Sequence, residues 1–514
     1  MSSIAKAELN IPSVTALLVA GGDARIAPDA HSGCNKYGCR SYPDADLLAF
    51  GSSTASVISE QGFEAAVQLR DKLQNRASTE PAVTTYAREL DRVRAELVAL
   101  CGIGDLPGLE VVFAASGTDS HLIAAQLVRN QGQPLCAVMI DAVETGSGVP
   151  AALAGRHFST RTALAQAVDE GVVIAGDAIA VVTVAMRAAD GSPYTAAAMD
   201  AGVTARVHAA VAAGQRVLLT LVDVSKTGMI VPGPACVAAL QRQFPEQLDV
   251  LVDACQFRIA PSTLRAYLQQ GYMVAVTGSK FITGPTFSGA LLIPSGLAQG
   301  LRRYPVPASL RAYSAAADWS RNWDCSRLDA GAVNFGLLLR WEAALTELRA
   351  FHAIPETEIA AFLQVFADAI QGKLDSDPVF ERVAVPVRAG ASWDSFPTIF
   401  PFMLRRPAGA TGYTWLSSGD MSQIYRLLQC DLSSDAGLPA DSASRRLLAS
   451  RVQLGQPVRC GVRDGMPVSA LRLCMSARLV VAALSPRGPG PSAVIAQALI
   501  ALEKTALLVN ADLA

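Results

Sequence analysis

Lysine is scarce in this chain of 514 residues: seven lysines stand beside 36 arginines. So few lysines make the placement of each one informative. An imbalance of charge is missing as well. Lys and Arg total 43 against 45 Asp and Glu, leaving a formal net charge of -2 and no basic run, which argues against nucleic acid or an anionic lipid surface as a partner. No apolar run reaches the ~18 uninterrupted residues that a membrane-spanning helix needs. Arg472 and Arg478 break the stretch around Val480, and Glu503 and Lys504 break the last one. The N-terminus has no basic region ahead of an apolar stretch, so no secretory signal is expected. Cys34 and Cys39 have no second cysteine pair at ligand spacing, and His31 is the only histidine near them, so no metal is expected. The ten cysteines are scattered, several inside apolar runs (Cys136, Cys255, Cys474), as suits buried thiols in a reducing compartment. These absences point to a cytoplasmic protein with neither a membrane nor a nucleic-acid partner.

The chain is longer than one hydrophobic core accommodates, and its 51% hydrophobic content supplies material for more than one. Residues 59–101 carry two helical patterns, with Phe63, Ala66 and Leu69 and then Leu90, Val93 and Leu97 at three- to four-residue steps. Apolar, β-rich runs then alternate with helical ones, at 109–113, 136–140, 179–184, 217–222, 250–252, 273–276 and 290–293. Near-continuous apolar strands separated by helices predict a mostly parallel, seven-stranded sheet covered on both faces. An Arg-, Tyr- and Trp-rich connection at 302–325 leads to helical patterns at 333–350 and 355–370. Shorter strands follow near 379–385, 396–402 and 469–474, with a last helix at 492–509. The expected organisation is α/β in three parts: an N-terminal arm at 1–58, a large domain at 59–325 and a smaller α+β domain at 326–514.

The chemistry concentrates in residues 252–291. Asp253 ends an apolar strand in Val-Asp-Ala-Cys-Gln, and Lys280 follows 27 positions later in Thr-Gly-Ser-Lys-Phe-Ile-Thr-Gly-Pro-Thr. The lysine is set among Gly278, Ser279, Thr283 and Gly284 rather than on a charged face. Such a pair suits pyridoxal 5'-phosphate (PLP): the lysine makes the Schiff base that holds the aldehyde, and the acid pairs with the pyridinium nitrogen and keeps the ring an electron sink. Upstream, Ser116, Gly117 and Thr118 pass from a strand into a helix. They offer two hydroxyls and bare backbone at a helix N-terminus, where a phosphate is favoured, although the same residues also suit an ordinary N-cap.

Taken together, Ser116-Gly117-Thr118, Asp253, Gln256, Lys280 and Gly284-Pro285-Thr286 resemble the class V aminotransferase group of fold type I PLP enzymes, which includes the cysteine desulfurases and selenocysteine lyases. The resemblance implies that Lys280 is the Schiff-base lysine, Asp253 the pyridinium partner and Gln256 the side chain near the ring hydroxyl. It makes Thr277 and Ser279 further cofactor contacts. Thr286 matches a position that reaches the phosphate of a neighbouring subunit, implying a homodimer with shared sites. Ser225 stands where an asparagine usually approaches the cofactor, and its neighbour Lys226 is a second Schiff-base candidate with no acid at the right separation before it. Arg472, after Leu-Gly-Gln-Pro-Val, resembles the arginine that clamps a substrate α-carboxylate with two parallel hydrogen bonds. Asn35 and Tyr37, in a polar segment at 32–39, are candidate substrate contacts from a loop folded over the site.

Two departures from the group's pattern shape the expected reaction. The position of the desulfurase cysteine is Leu454, which has no nucleophile, and Cys460 lies six residues on in an Arg-Cys-Gly turn. The place of the ring-stacking histidine reads Glu144-Thr145-Gly146-Ser147-Gly148, without an aromatic, and His121 reads as a packed helix histidine. The expectation is a homodimeric PLP enzyme acting at Cα of an amino acid, an aminotransferase first. A carbon–sulfur or carbon–carbon lyase and a non-catalytic PLP-binding protein are the alternatives.

Overall fold

The apolar runs become strands because each has two faces to bury. Leu248–Ala254 and Met273–Thr277 are buried along their whole length, and Val250 and Val252 face one core while Leu251 faces the other, as a period of two requires. The computed structural model describes residues 10–511 except 189, 387, 410–411 and 435–440. Its first sheet has seven strands in the order Glu110–Ala114, Gly289–Ile293, Met273–Thr277, Leu248–Ala254, Arg216–Val222, Leu135–Ile140 and Ala180–Val184. Gly289–Ile293 runs antiparallel to both neighbours, and the other pairs are parallel. The mostly parallel α/β sheet read from the sequence is therefore present. Only its edge strand, Ala180–Val184, carries exposed positions.

A second sheet has the order Leu47–Phe50, Arg451–Arg463, Met466–Cys474, Ile399–Ala408 and Gly412–Trp415, with Phe380–Arg382 also paired to Ile399–Ala408. Sequence reading missed three of these strands, the short Gly412–Trp415 among them. Leu47–Phe50 is only four residues long, too short to show a period, and its parallel partner lies some 400 positions away, with Phe50 opposite Leu454. Arg451–Arg463 mixes charged residues with Gly455 and Pro457 and breaks register between Gly455 and Val458. Leu454, at the desulfurase-cysteine position, is thus a buried strand residue.

Helices Glu60–Arg76, Ala82–Leu100 and Phe335–His352 pack together beside the first sheet. Pro491–Asn510 is long and apolar enough to cross a membrane by length and composition, yet half of it is buried inside the protein. Within it, the fully buried Lys504 donates to the carbonyls of Leu428, Cys430 and Ser450 at 3.2, 2.8 and 2.6 Å. A cation suits the carbonyl-rich end of helix Ser418–Leu428.

Buried arginines do the same for the irregular backbone around the strand ends. Arg340, on Phe335–His352, is 0% exposed and donates to the carbonyls of Phe287, Ala20 and Gly21. One turn earlier Gly336 allows that approach, since a Cβ there would lie 2.4 Å from the carbonyl oxygen of Ala20. Burial pulls the Arg340 guanidinium down to about 9, so it stays charged at neutral pH. Arg258 joins the two sheets by donating to the carbonyls of Thr398 and Met475 and to Ser52 Oγ. Arg340→Met leaves the carbonyls of Phe287 and Ala20 without this donor, while that of Gly21 keeps Asn334, and should lower stability by about 2 kcal/mol or more. Arg340→Lys should recover only part of this, because an ammonium lacks the planar fork. Thermal unfolding checks both, and a methionine variant that melts with the wild type would contradict this role.

Candidate active site

The carboxyl ends of the parallel strands deliver their following residues into one cavity of about 210 Å³, the usual ligand crevice of an open α/β sheet. Asp253 comes from Leu248–Ala254, Thr277 closes Met273–Thr277, and Ser279 and Lys280 follow it. Ser225 and Lys226 follow Arg216–Val222, and Glu144 follows Leu135–Ile140. The second sheet contributes Arg472 and Gln456, and the N-terminal segment contributes Arg25, Lys36 and Tyr37. Ser116, Gly117, Thr118, Gln256 and Thr286 complete the set of sequence-derived residues in the wall. Asn35 is not among the lining residues. Its amide instead donates to Thr286 Oγ1 at 3.0 Å while its carbonyl oxygen accepts from the backbone of Tyr37 and Cys39, so it shapes the loop that brings Tyr37 to the wall.

The floor of the cavity is a carboxylate and an imidazole. Asp253 accepts from the Cys255 N–H at 3.1 Å, and His121 Nε2 lies 3.5 Å from its other oxygen. His121 Nδ1 is 2.7 Å from the Gly117 carbonyl oxygen. A carbonyl only accepts, so Nδ1 carries a proton. A neutral ring would then turn the Nε2 lone pair toward a carboxylate, whereas the imidazolium presents a proton. Burial pulls the His121 pKa down, but the charge and hydrogen bond of Asp253 outweigh it, and the net direction is up. Burial would raise Asp253, but His121 and then Lys280 hold it well below the ordinary carboxylate range. The reading of His121 as a packed helix residue is corrected here. Because Ser116 caps the helix Gly117–Arg129 and side chains tilt toward a helix N-terminus, position 121 reaches back to the strand end. Cys255 completes a cluster with this pair, with donor atoms all within 4.8 Å. Burial and the Asp253 charge push its thiol well above the usual range, so it stays protonated and is a poor metal ligand.

At the opposite end, the hydroxyl of Ser116 accepts from the Asp119 N–H at 3.3 Å and donates to the Asp119 carboxylate. Gly117 is sterically required, because a Cβ there would lie 2.5 Å from Cys255 Sγ. Arg25, which sequence reading missed, pairs with Asp23 at 2.6 Å and donates to Thr118 Oγ1 at 3.3 Å. Its guanidinium stands 5.0 Å from the centre of the Phe287 ring. Nothing near residue 25 in the sequence signals its place in the cavity, since Thr118 and Phe287 lie more than 90 positions away. The turn after Leu135–Ile140 carries no aromatic, as read. Aromatic wall residues come instead from Tyr37 and Phe287, whose rings meet edge-on at 6.1 Å. Glu144 accepts from Ser225, Thr227 and Arg187 and is fully engaged. Thr145 Oγ1 is buried without a partner among the described residues. Val224 lines the cavity with a φ of 64°, and Thr283, in the loop after Lys280, has a φ of 65°, a strained conformation for β-branched residues.

Gln256 donates to the Ser53 carbonyl at 3.0 Å, fixing its orientation. Arg472 bridges the two sheets while almost wholly buried. It donates to the Lys226 carbonyl at 3.3 Å, to Thr54 Oγ1 at 3.1 Å and to the Gln456 carbonyl, and its Nε has no partner among the described residues. Cys460 lies away from the cavity, packed with Met403, Val468 and Ala470.

The Asp253–His121 pair makes stability depend on pH. With the folded imidazole raised above its ordinary value of ~6.5, the pair contributes fully below that pH and loses its contribution as pH rises through the raised value. The difference in melting midpoint between wild type and His121→Gln should therefore shrink from about pH 6 to about pH 9. A gap that stays constant across that range would contradict a charged His121.

No family model matches this sequence, and no curated protein matches it. Solved structures match in shape. The NifS-like protein from Rickettsia africae aligns at TM-score 0.52 and 12% identity, covering 90% of this chain and 99% of that one. The cysteine desulfurase CsdA from Escherichia coli aligns at 0.50 and 15% identity, covering 90% and 96%. Oryza sativa TDC with PLP aligns at 0.50 and 15%, covering 90% and 84%. At these identities the likeness is one of fold, and the fold is that of the fold type I PLP-dependent enzymes.

Proposed function

We propose that this protein is a PLP-dependent enzyme acting at Cα of an amino acid, and that its reaction is transamination. The observation that carries this reading is a buried Asp253 carboxylate, kept ionised by His121, in the same cavity as Lys280. The residues fit the cofactor. A buried anion suits a protonated ring nitrogen. The Thr118 hydroxyl, which accepts from Arg25 and keeps its own proton, the first N–H groups of helix Gly117–Arg129 and the guanidinium of Arg25 suit a phosphate, and Gly117 leaves the cradle open. When bound, PLP supplies the electron sink for a bond broken at Cα.

This chain's residues account for the remainder. Lys280 holds the cofactor and then serves as the base whose Nζ takes and returns the Cα proton. Arg472 lines the cavity and meets the α-carboxylate with its guanidinium, and pinning that carboxylate in place favours its retention over decarboxylation. Gln256, fixed by Ser53, borders the ring. Desulfuration by transfer of sulfur to the protein needs a thiolate, and none is supplied: position 454 is a buried leucine, Cys460 is not among the lining residues, burial pushes Cys39 up to about 12, and burial and Asp253 keep the Cys255 thiol protonated. Thr286 lines this chain's own cavity and accepts from Asn35, leaving its hydroxyl proton for a phosphate oxygen there; a homodimer with shared sites is part of the proposal on the family resemblance alone.

Borohydride reduction followed by peptide mapping should place the cofactor on Lys280. Label on Lys226 or nowhere would overturn the assignment. Asp253→Asn should bind PLP but lose about 100-fold or more in kcat, in line with loss of one acid–base partner. Amino donors should yield pyridoxamine phosphate and a keto acid. Steady release of pyruvate, sulfide or CO2 without the pyridoxamine form would replace transamination with a lyase reaction.

A further inference from the structure

The cavity holds more positive charge than the cofactor and one carboxylate account for. Arg25 is already paired with Asp23, and Glu144 with Arg187. Asp253 faces His121. Arg472, Lys226 and the exposed Lys36 remain; Arg472 and Lys226 are adjacent, because Arg472 donates to the Lys226 carbonyl. On the proposed function, the α-carboxylate takes Arg472, and Lys226 makes no salt bridge among the described residues, although the Glu144 and Asp141 carboxylates attract it from farther off. Its ammonium donates at 3.0 Å to the Val143 carbonyl, a neutral acceptor, which leaves N–H donors pointing elsewhere. Lys226 is part-exposed and lines the cavity, so it stands at the mouth rather than on the floor. Burial, then repulsion from Arg472 and Lys280, pushes it down to about 8. It is still mostly protonated at neutral pH, and an incoming anion would relieve that repulsion.

We propose that the substrate is an amino acid whose side chain carries a second acidic group, and that Lys226 binds this group at the cavity mouth. The inference rests on the PLP reading and names the substrate class for the same site. The opposing view is that Lys226 only ties the loop after Arg216–Val222 to the Val143 carbonyl. In that case its charge has no bearing on which acid binds.

Isothermal titration of the cofactor-loaded protein separates the two without turnover. Succinate and glutarate, which lack an amine, are compared with butyrate and valerate of equal chain length. The dicarboxylates should bind on the order of tenfold to a hundredfold tighter, the range for a charged hydrogen bond. Lys226→Met should abolish this preference while leaving the monocarboxylate affinity unchanged, and Lys226→Arg should keep most of it. Equal binding of both classes, or a preference that survives Lys226→Met, overturns the inference. Cofactor loading is read separately from the borohydride-labelled Lys280 peptide. A loaded protein that does not discriminate defeats only this inference, whereas a protein that never loads defeats the reading beneath it.

Discussion

Irregular backbone at the carboxyl ends of the strands must have its carbonyls satisfied away from water, and buried guanidinium groups meet that demand. Each of Arg258, Arg340, Arg472 and Arg478 reaches two or more carbonyls from segments distant in sequence. A planar fork with five donors can serve several acceptors at once, which an ammonium does less well. The excess of arginine over lysine is therefore a property of the fold as well as of the surface. Without these contacts the N-terminal segment, the loop after Lys280 and the second sheet would have no fixed position over the first.

With the backbone held, the cavity has a clear division of charge. Asp253 and His121 make a buried pair on the floor. Arg25 and the start of helix Gly117–Arg129 provide donors at one end, and Arg472 and Lys226 provide them where the second sheet meets the first. Glu144 is neutralised by Arg187 and by two hydroxyls, so it does not cancel the positive mouth. Small residues keep the space open between these groups, as the contact of Gly117 with Cys255 illustrates. Strain at Val224 sits on the cavity wall, where the surrounding packing holds a conformation the residue alone would not choose.

Much of this was legible in the sequence. Strands buried on both faces read as unbroken apolar runs, so the seven-stranded sheet could be placed within a few residues. The spacing of Asp253 and Lys280 marked the chemistry because Asp253 stands at the end of one strand and Lys280 follows the adjacent parallel one, and the two strand ends lie side by side. Ser116 to Thr118 carried the signal of a helix start. Leu47–Phe50, by contrast, has too few residues for a pattern, and its pairing is set by a strand near the other end of the chain.

The sequence by itself determined the alternation of strand and helix, the local turns and the residue types at the strand ends, because these depend on neighbours a few positions apart. Tertiary structure alone decided that His121 would turn back onto Asp253, that Arg25 would join Thr118, that Asn35 would serve Thr286, and that Arg472 would stand beside Lys226. Each of these is a meeting of side chains from distant segments. Charge and hydrogen bonding between such groups depend on distance and burial in space, and neither is written in the order of the residues.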